Sequence, residues 1–74
     1  EEIMIKYIVN DYYDEDILIV GGLFDTPEEA FECMKNDVEE FVKTVNADKY
    51  DIDKNSATVY GNDSCYWKIN PIEI

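Results

Sequence analysis

Thr26-Pro27-Glu28-Glu29-Ala30-Phe31-Glu32-Cys33-Met34 opens the stretch on which the fold turns. Thr is a good N-cap and Pro fits the first helical position. Glu three residues after the cap completes a capping box, in which side chains and backbone N–H groups satisfy each other. Stepping 100° per residue from Pro27 puts Ala30, Phe31, Met34, Val38, Phe41, Val42 and Val45 in one arc about 120° wide. That stripe predicts an amphipathic helix over a core, fading near Asn46-Ala47-Asp48. Glu28, Glu29, Glu32, Glu39 and Glu40 fall on the far side of the wheel. Cys33 falls beside Glu29, Asp37 and Glu40, outside the apolar arc. Lys35 and Lys43 are spaced for ion pairs with Glu32 and Glu39.

Upstream, Ile3-Met4-Ile5-Lys6-Tyr7-Ile8-Val9 alternates imperfectly and reads as a strand. Ile17 to Val20 is apolar and largely β-branched, as expected of a central strand covered on one face and partly on the other. The polar Asn10–Asp16 connection makes the two a hairpin. Downstream, Ser56–Tyr60 and Cys65–Ile69 flank Gly61-Asn62-Asp63-Ser64 and predict a second hairpin. Pro71 cannot donate to a ladder, so the last strand is expected to end there or to lie at an edge. The expected fold is α+β, ββαββ: one helix on one face of a four-stranded, mostly antiparallel sheet. With no repeat or linker, residues 1–74 read as one small domain.

Composition narrows the chemistry. Eighteen Asp and Glu stand against six Lys, a net charge of -12, and there is no His. The sequence also contains no Arg and no Gln. A histidine base, an imidazole metal ligand and an arginine clamp are therefore excluded. Direct nucleic-acid binding through clustered Lys and Arg is disfavoured. The 46% hydrophobic and 14% aromatic content separates the chain from disordered acidic sequences. The apolar run Ile17–Phe24 is too short to span a bilayer, and no signal peptide is recognised. Cys33 and Cys65 are expected as reduced thiols in a cytoplasmic protein, so the Asn62-Asp63-Ser64 sequon reads as a turn. Abundant Ile, Tyr, Asn, Asp and Lys without Arg points to a low-GC bacterium or its phage.

No catalytic residue, metal or cofactor is assigned. Ser56, Ser64, Thr26, Thr44, Thr58, Cys33 and Cys65 have no histidine to activate them. Asp51-x-Asp53-x-Asn55 begins like a calcium loop, but Ser56 stands where Gly belongs and Asn62 where the bidentate Glu belongs. A polar turn is expected there. Asp11, Asp14, Glu15 and Asp16 read as a solvated hairpin loop.

The charge remains as the functional signal. Solubility of a small domain needs a magnitude of only about 2–8. Carboxylates stepping about 6 Å along a helix approach the spacing of nucleic-acid phosphates and could occupy a basic groove. The expected partner-binding residues are Glu28, Glu29, Glu32, Glu39 and Glu40, with Asp14, Glu15 and Asp16 on the hairpin. The sheet face away from the helix, expected to carry Tyr60, Tyr66 and Lys68 opposite Val59, Trp67 and Ile69, is a second candidate contact surface and could form a homodimer.

In size, acidity, lack of Arg and its acidic helix face, the chain resembles the small phage-encoded inhibitors of bacterial defence, the anti-CRISPR and anti-restriction DNA mimics. That resemblance implies a nuclease, CRISPR or restriction complex as partner. Phe24-Asp25-Thr26-Pro27-Glu28-Glu29-Ala30 is similar to the strand-to-helix step of HicB-like antitoxin domains, which implies a toxin-neutralising or adaptor role instead.

Overall fold

Thr26 caps the helix as its sequence requires. In the structure, a computed structural model describing residues 3–61 and 63–74, the Glu29 N–H donates to Thr26 Oγ1 and the Thr26 N–H donates to Glu29 Oε1, both at 3.2 Å. Helix α1 then runs Pro27–Val45, and Asn46 closes it in the left-handed conformation with φ 56°. Its apolar stripe lands as expected: Ala30, Met34 and Val38 are buried, and Phe31, Phe41 and Val42 pack around them.

Five strands make the sheet: β1 Ile5–Tyr13, β2 Asp16–Phe24, β3 Tyr50–Ile52, β4 Ser56–Val59 and β5 Cys65–Glu73. The order is β2-β1-β5-β4-β3, antiparallel at every pairing. The expected four strands become five because the chain leaving α1 pairs Tyr50-Asp51-Ile52 with Val59-Thr58-Ala57 before turning. The fold class is α+β, with the helix on one face of this sheet.

The central pair is β1 and β5, the first and last strands, in register from Ile5↔Glu73 to Tyr13↔Cys65. This arrangement corrects three expectations. β1 extends to Tyr13, so Asn10–Asp16 is not a loop: only Asp14 and Glu15 turn the hairpin, Asp14 with φ 59°. β5 takes the place beside β1, which leaves β2 at the sheet edge rather than in its centre. Ile17, Leu18 and Ile19 are consequently 63%, 57% and 64% exposed. Third, the last strand continues past Pro71, which pairs with Tyr7. The Ile69 N–H points to the β4 side, donating to the Asn55 carbonyl at 2.8 Å. Two residues on, the Pro71 nitrogen points the same way, where β4 has already ended at Ser56. Only the proline's β4-facing side is an edge, so no donor is missed.

Residues at odd positions of β1, β4 and β5 face the helix. Val9, Ala57, Val59, Cys65, Trp67 and Ile69 join Ala30, Met34 and Val38 in the core. β2 contributes to the core on both sides of a register shift. Between Tyr7↔Phe24 and Val9↔Val20 it spends two extra residues, a bulge at Gly21-Gly22 with φ of 82° and 111°. A Cβ on Gly21 would sit 2.8 Å from Cys33 Sγ and 2.9 Å from the Phe24 ring. Because two residues are inserted, the alternation is kept across the bulge, and Val20 and Phe24 both pack against the core while Ile17 and Ile19 turn away. Among the described residues, no helix is long and apolar enough to cross a membrane.

Candidate functional site

The helix glutamates stand where the wheel placed them. Glu28, Glu29, Glu32, Glu39 and Glu40 are all exposed. Glu29 also spends its carboxylate on the cap. The expected relief by lysine does not occur: among the described residues the one ion pair is Lys6–Asp25, and neither Lys35 nor Lys43 pairs with a glutamate. Long side chains on a solvated helix gain little from such pairs and lose rotamer freedom in making them.

Phe41 lies edge-on to both Tyr13 and Trp67, each at 5.5 Å between ring centroids. The C-terminal half of α1 therefore overlies the hairpin-tip end of the sheet. Asp14, Glu15 and Asp16, all exposed at that tip, lie at the opposite end of the helix from Glu28 and Glu29. A helix of 19 residues separates them by about 28 Å. The acids form a line with an acidic end, not one cluster.

At the other end the helix overhangs an open groove of about 680 Å³ lined by Pro27, Glu28, Phe31, Glu32 and the Ile52–Asn55 turn. Phe31 and Ile52 give it an apolar floor, while Glu28, Glu32 and Asp53 give it an acidic rim. The sequence reading held Phe31 as core alone and had no place for Ile52, since their meeting depends on β3. The calcium-like residues have other partners. Asp51 accepts from the Tyr60 hydroxyl at 3.0 Å, and Asp53 accepts from the Lys54 N–H at 3.0 Å. Asp53 N–H also closes the turn onto the Ser56 carbonyl at 2.7 Å. Among the described residues, no three His, Cys, Asp or Glu are grouped to hold a metal. The candidate loop's last position, Asn62, lies outside the described residues, as does the asparagine of the sequon.

Two acids expected on the surface are drawn inward. Asp11, assigned to the loop, lies in β1 under the helix and accepts from Cys65 Sγ at 2.8 Å. Asp37 accepts from the Trp67 indole N–H at 2.7 Å. Burial raises the Asp11 carboxyl above its ordinary value, the thiol hydrogen bond opposes the rise, and the charge of Asp37 adds to it. Burial, then Asp11, pushes the Cys65 thiol well above a normal cysteine. Cys33 is corrected as well. It is half-buried against the core, with Sγ 3.7 Å from the Val20 carbonyl, because the Gly21 bulge brings β2 up to the helix flank. Burial and the charge of Asp37 raise its thiol too. Neither cysteine is in a disulfide, and both are poor thiolates.

The sheet face away from the helix is open. Tyr66 and Lys68 lie on it, with Val59, Trp67 and Ile69 beneath the helix as expected. Tyr60 lies just beyond β4, bonded to Asp51, with Lys49 Nζ 5.1 Å from its ring centre. The sequence reading missed the larger part of this face: Met4, Ile8, Tyr12, Ile17, Ile19 and Ile72. Tyr12 stands between Ile17 and Tyr66 across the ladder, its ring 5.7 Å from that of Tyr66. By strand alternation, no Asp or Glu lies on the open side of β1, β2, β4 or β5. The signal for this is the uncharged run Ile17–Phe24, whose composition reads equally as an interior strand.

No protein-family model matches the chain, and no match is found among the curated proteins or the solved structures.

Proposed function

We propose that the protein is an acidic binding module whose outer helix face occupies a basic surface on a partner protein, one that otherwise holds nucleic acid. The observation that supports this reading most directly is the separation of charge by face. Glu28, Glu32 and Glu39 project from α1 without a lysine partner, while among the described residues the open side of β1, β2, β4 and β5 carries no acid and that of β3 carries only Asp51. A chain of net charge -12 that sorts its acids this way presents a directional field able to steer association with a basic groove. Glu28 and Glu32 step one helical turn, about 6 Å, and Glu39 lies about 10 Å further on, intervals that a row of phosphates also offers. Asp14, Glu15 and Asp16 extend the same surface beyond the helix C-terminus. A nuclease, CRISPR or restriction complex of a bacterial host fits as the partner, and the role is inhibitory rather than catalytic. An antitoxin-like or adaptor role would use the same helix face on a basic toxin or adaptor surface.

The test is affinity capture from bacterial lysate at low and high salt, with the wild type beside the triple variant Glu28→Lys, Glu32→Lys, Glu39→Lys. The expected result is recovery of nucleic-acid-binding proteins that salt or added DNA releases and that the triple variant fails to retain. Capture that ignores both salt and the triple substitution overturns the reading.

A further inference from the structure

We infer that the open face of the sheet is a homodimer interface, packing against the same face of a second copy of this chain. The inference rests on the sheet alone and stands whether or not the helix binds a basic partner.

Side-chain chemistry comes first. Ile17 and Ile19 are 63% and 64% exposed, Met4 52% and Tyr66 38%, with Ile8, Tyr12 and Ile72 half-buried among them. They form one continuous surface, because β1 joins β2 on one side and β5 on the other: Ile17, Tyr12 and Tyr66 stand in one cross-strand row, and Ile19 and Asn10 begin the next. A contiguous apolar patch of this kind on a small domain marks an interaction site.

Charge then selects the occupant. Two copies each carrying -12 repel wherever their acids meet. Among the described residues the open side of β1, β2, β4 and β5 carries no acid of its own, with Asp25 neutralised by Lys6 and Asp51 confined to the β3 edge, so it is where like-charged copies can approach closely. Its two lysines do not oppose this. Lys6 is paired with Asp25. Lys68 stands on β5 between Asn10 of β1 and Ser56 of β4, with Asn10 separating it from Ile19, and its stem can carry the ammonium toward the β4 side. Asn70 Nδ2 donates to Asn10 Oδ1 at 2.8 Å, so the two amides at the centre of the face are partly paired before any contact forms.

Area is sufficient. β1, β2 and β5 are each nine residues long. At about 3.4 Å per residue and 4.8 Å between strands, these three with β4 present roughly 500–600 Å² per copy. Two such faces remove about 1,000–1,200 Å², at the threshold for a specific interface. Stacked about 10 Å apart in the manner of a β-sandwich, they leave both helices outward.

Sedimentation velocity over a wide concentration range tests this, with far-UV circular dichroism to confirm folding. The expected result is a dimer that strengthens as salt screens the net charge. Ile19→Asp and Tyr66→Asp, at exposed positions on two different strands, should each weaken self-association by at least about 10-fold while the chain stays folded. Leu18→Asp, also exposed but on the helix side of β2, should leave the dimer in place. A wild type that is monomeric at every concentration overturns the inference. So does a dimer that survives both Ile19→Asp and Tyr66→Asp. A dimer lost in Leu18→Asp but kept in Tyr66→Asp would mean edge pairing through β2 and would overturn it equally.

Discussion

Trp67 and Tyr66 are neighbours in β5, yet they face different surroundings. Trp67 is fully buried, edge-on to Phe41, with its indole N–H on Asp37. Tyr66 turns to the open side, touches Tyr12 and remains 38% exposed. The same alternation divides the whole sheet. The helix side holds the fully buried residues together with the hydrogen-bonded pair Asp11 and Cys65. The open side holds isoleucine and tyrosine, with no acid among the described residues of β1, β2, β4 and β5 and Asp51 at the β3 edge. Stability therefore resides on one side, and the other is free to serve contact. That partition can be broken residue by residue.

The largest effect should come from Trp67→Ala. It removes the biggest side chain of the core and strands Asp37 without its donor, so a loss of about 3–5 kcal/mol is expected in urea denaturation. Tyr66→Ala in dilute solution should cost far less, about 1 kcal/mol or under. Comparable losses from the two substitutions would show that both sides carry the fold.

Gly21→Ala probes the place where β2 shifts register. At φ 82° a Cβ is strained, and it would meet Cys33 Sγ and the Phe24 ring. About 1–2 kcal/mol is expected from the backbone alone, with the steric contact adding to it. Gly22→Ala, in open space at φ 111°, should show the backbone cost without the collision. Equal losses at the two glycines would mean that the Cys33 contact is unimportant.

The smallest effect is electrostatic. Asp11 has its carboxyl raised from an ordinary value of 3.8, chiefly by burial. The folded state thus holds this proton more tightly than the unfolded state. Its contribution is fully present below pH 3.8 and is lost as the pH rises through the folded value. Stability relative to Asp11→Asn should fall over that interval and then level off. A constant difference between wild type and variant from pH 3 to 7 would show that Asp11 titrates normally.

Much of the helix side was legible in the sequence, because a capping box and a period of 3.6 residues are local signals. Thr26, Pro27 and Glu29 fixed the start of α1, and the stripe from Ala30 to Val45 identified its inner face. The second hairpin was readable as well, and with it the division of Val59 and Trp67 from Tyr66. The edge position of β2 was not. Ile17-Leu18-Ile19-Val20 has the composition of an interior strand, and nothing local says that β5 will return to pair with β1 across sixty residues of chain. The inward turn of Asp11 and Asp37 was hidden for a similar reason: an aspartate reads as surface until its donor, a thiol or an indole from another strand, is in place. The helix glutamates were legible as a face, but the groove beneath Glu28 and Glu32 depends on the short strand Tyr50–Ile52, too brief to leave a periodic signature.

The glycine pair in β2 has a further consequence, for the way the molecule resists polymerising. A nine-residue edge strand whose one charge, Asp16, stands at its start is a template on which further strands can add without limit. Sheet edges are commonly guarded by lysine or proline; here neither occurs between Asp16 and Phe24. Instead, the two positive-φ residues interrupt the outward row of N–H and C=O groups just after Val20, so an incoming strand would find a continuous rail of only about five residues, Asp16–Val20. Fibril growth is checked by backbone shape, and the apolar side chains around it are left free for finite contacts.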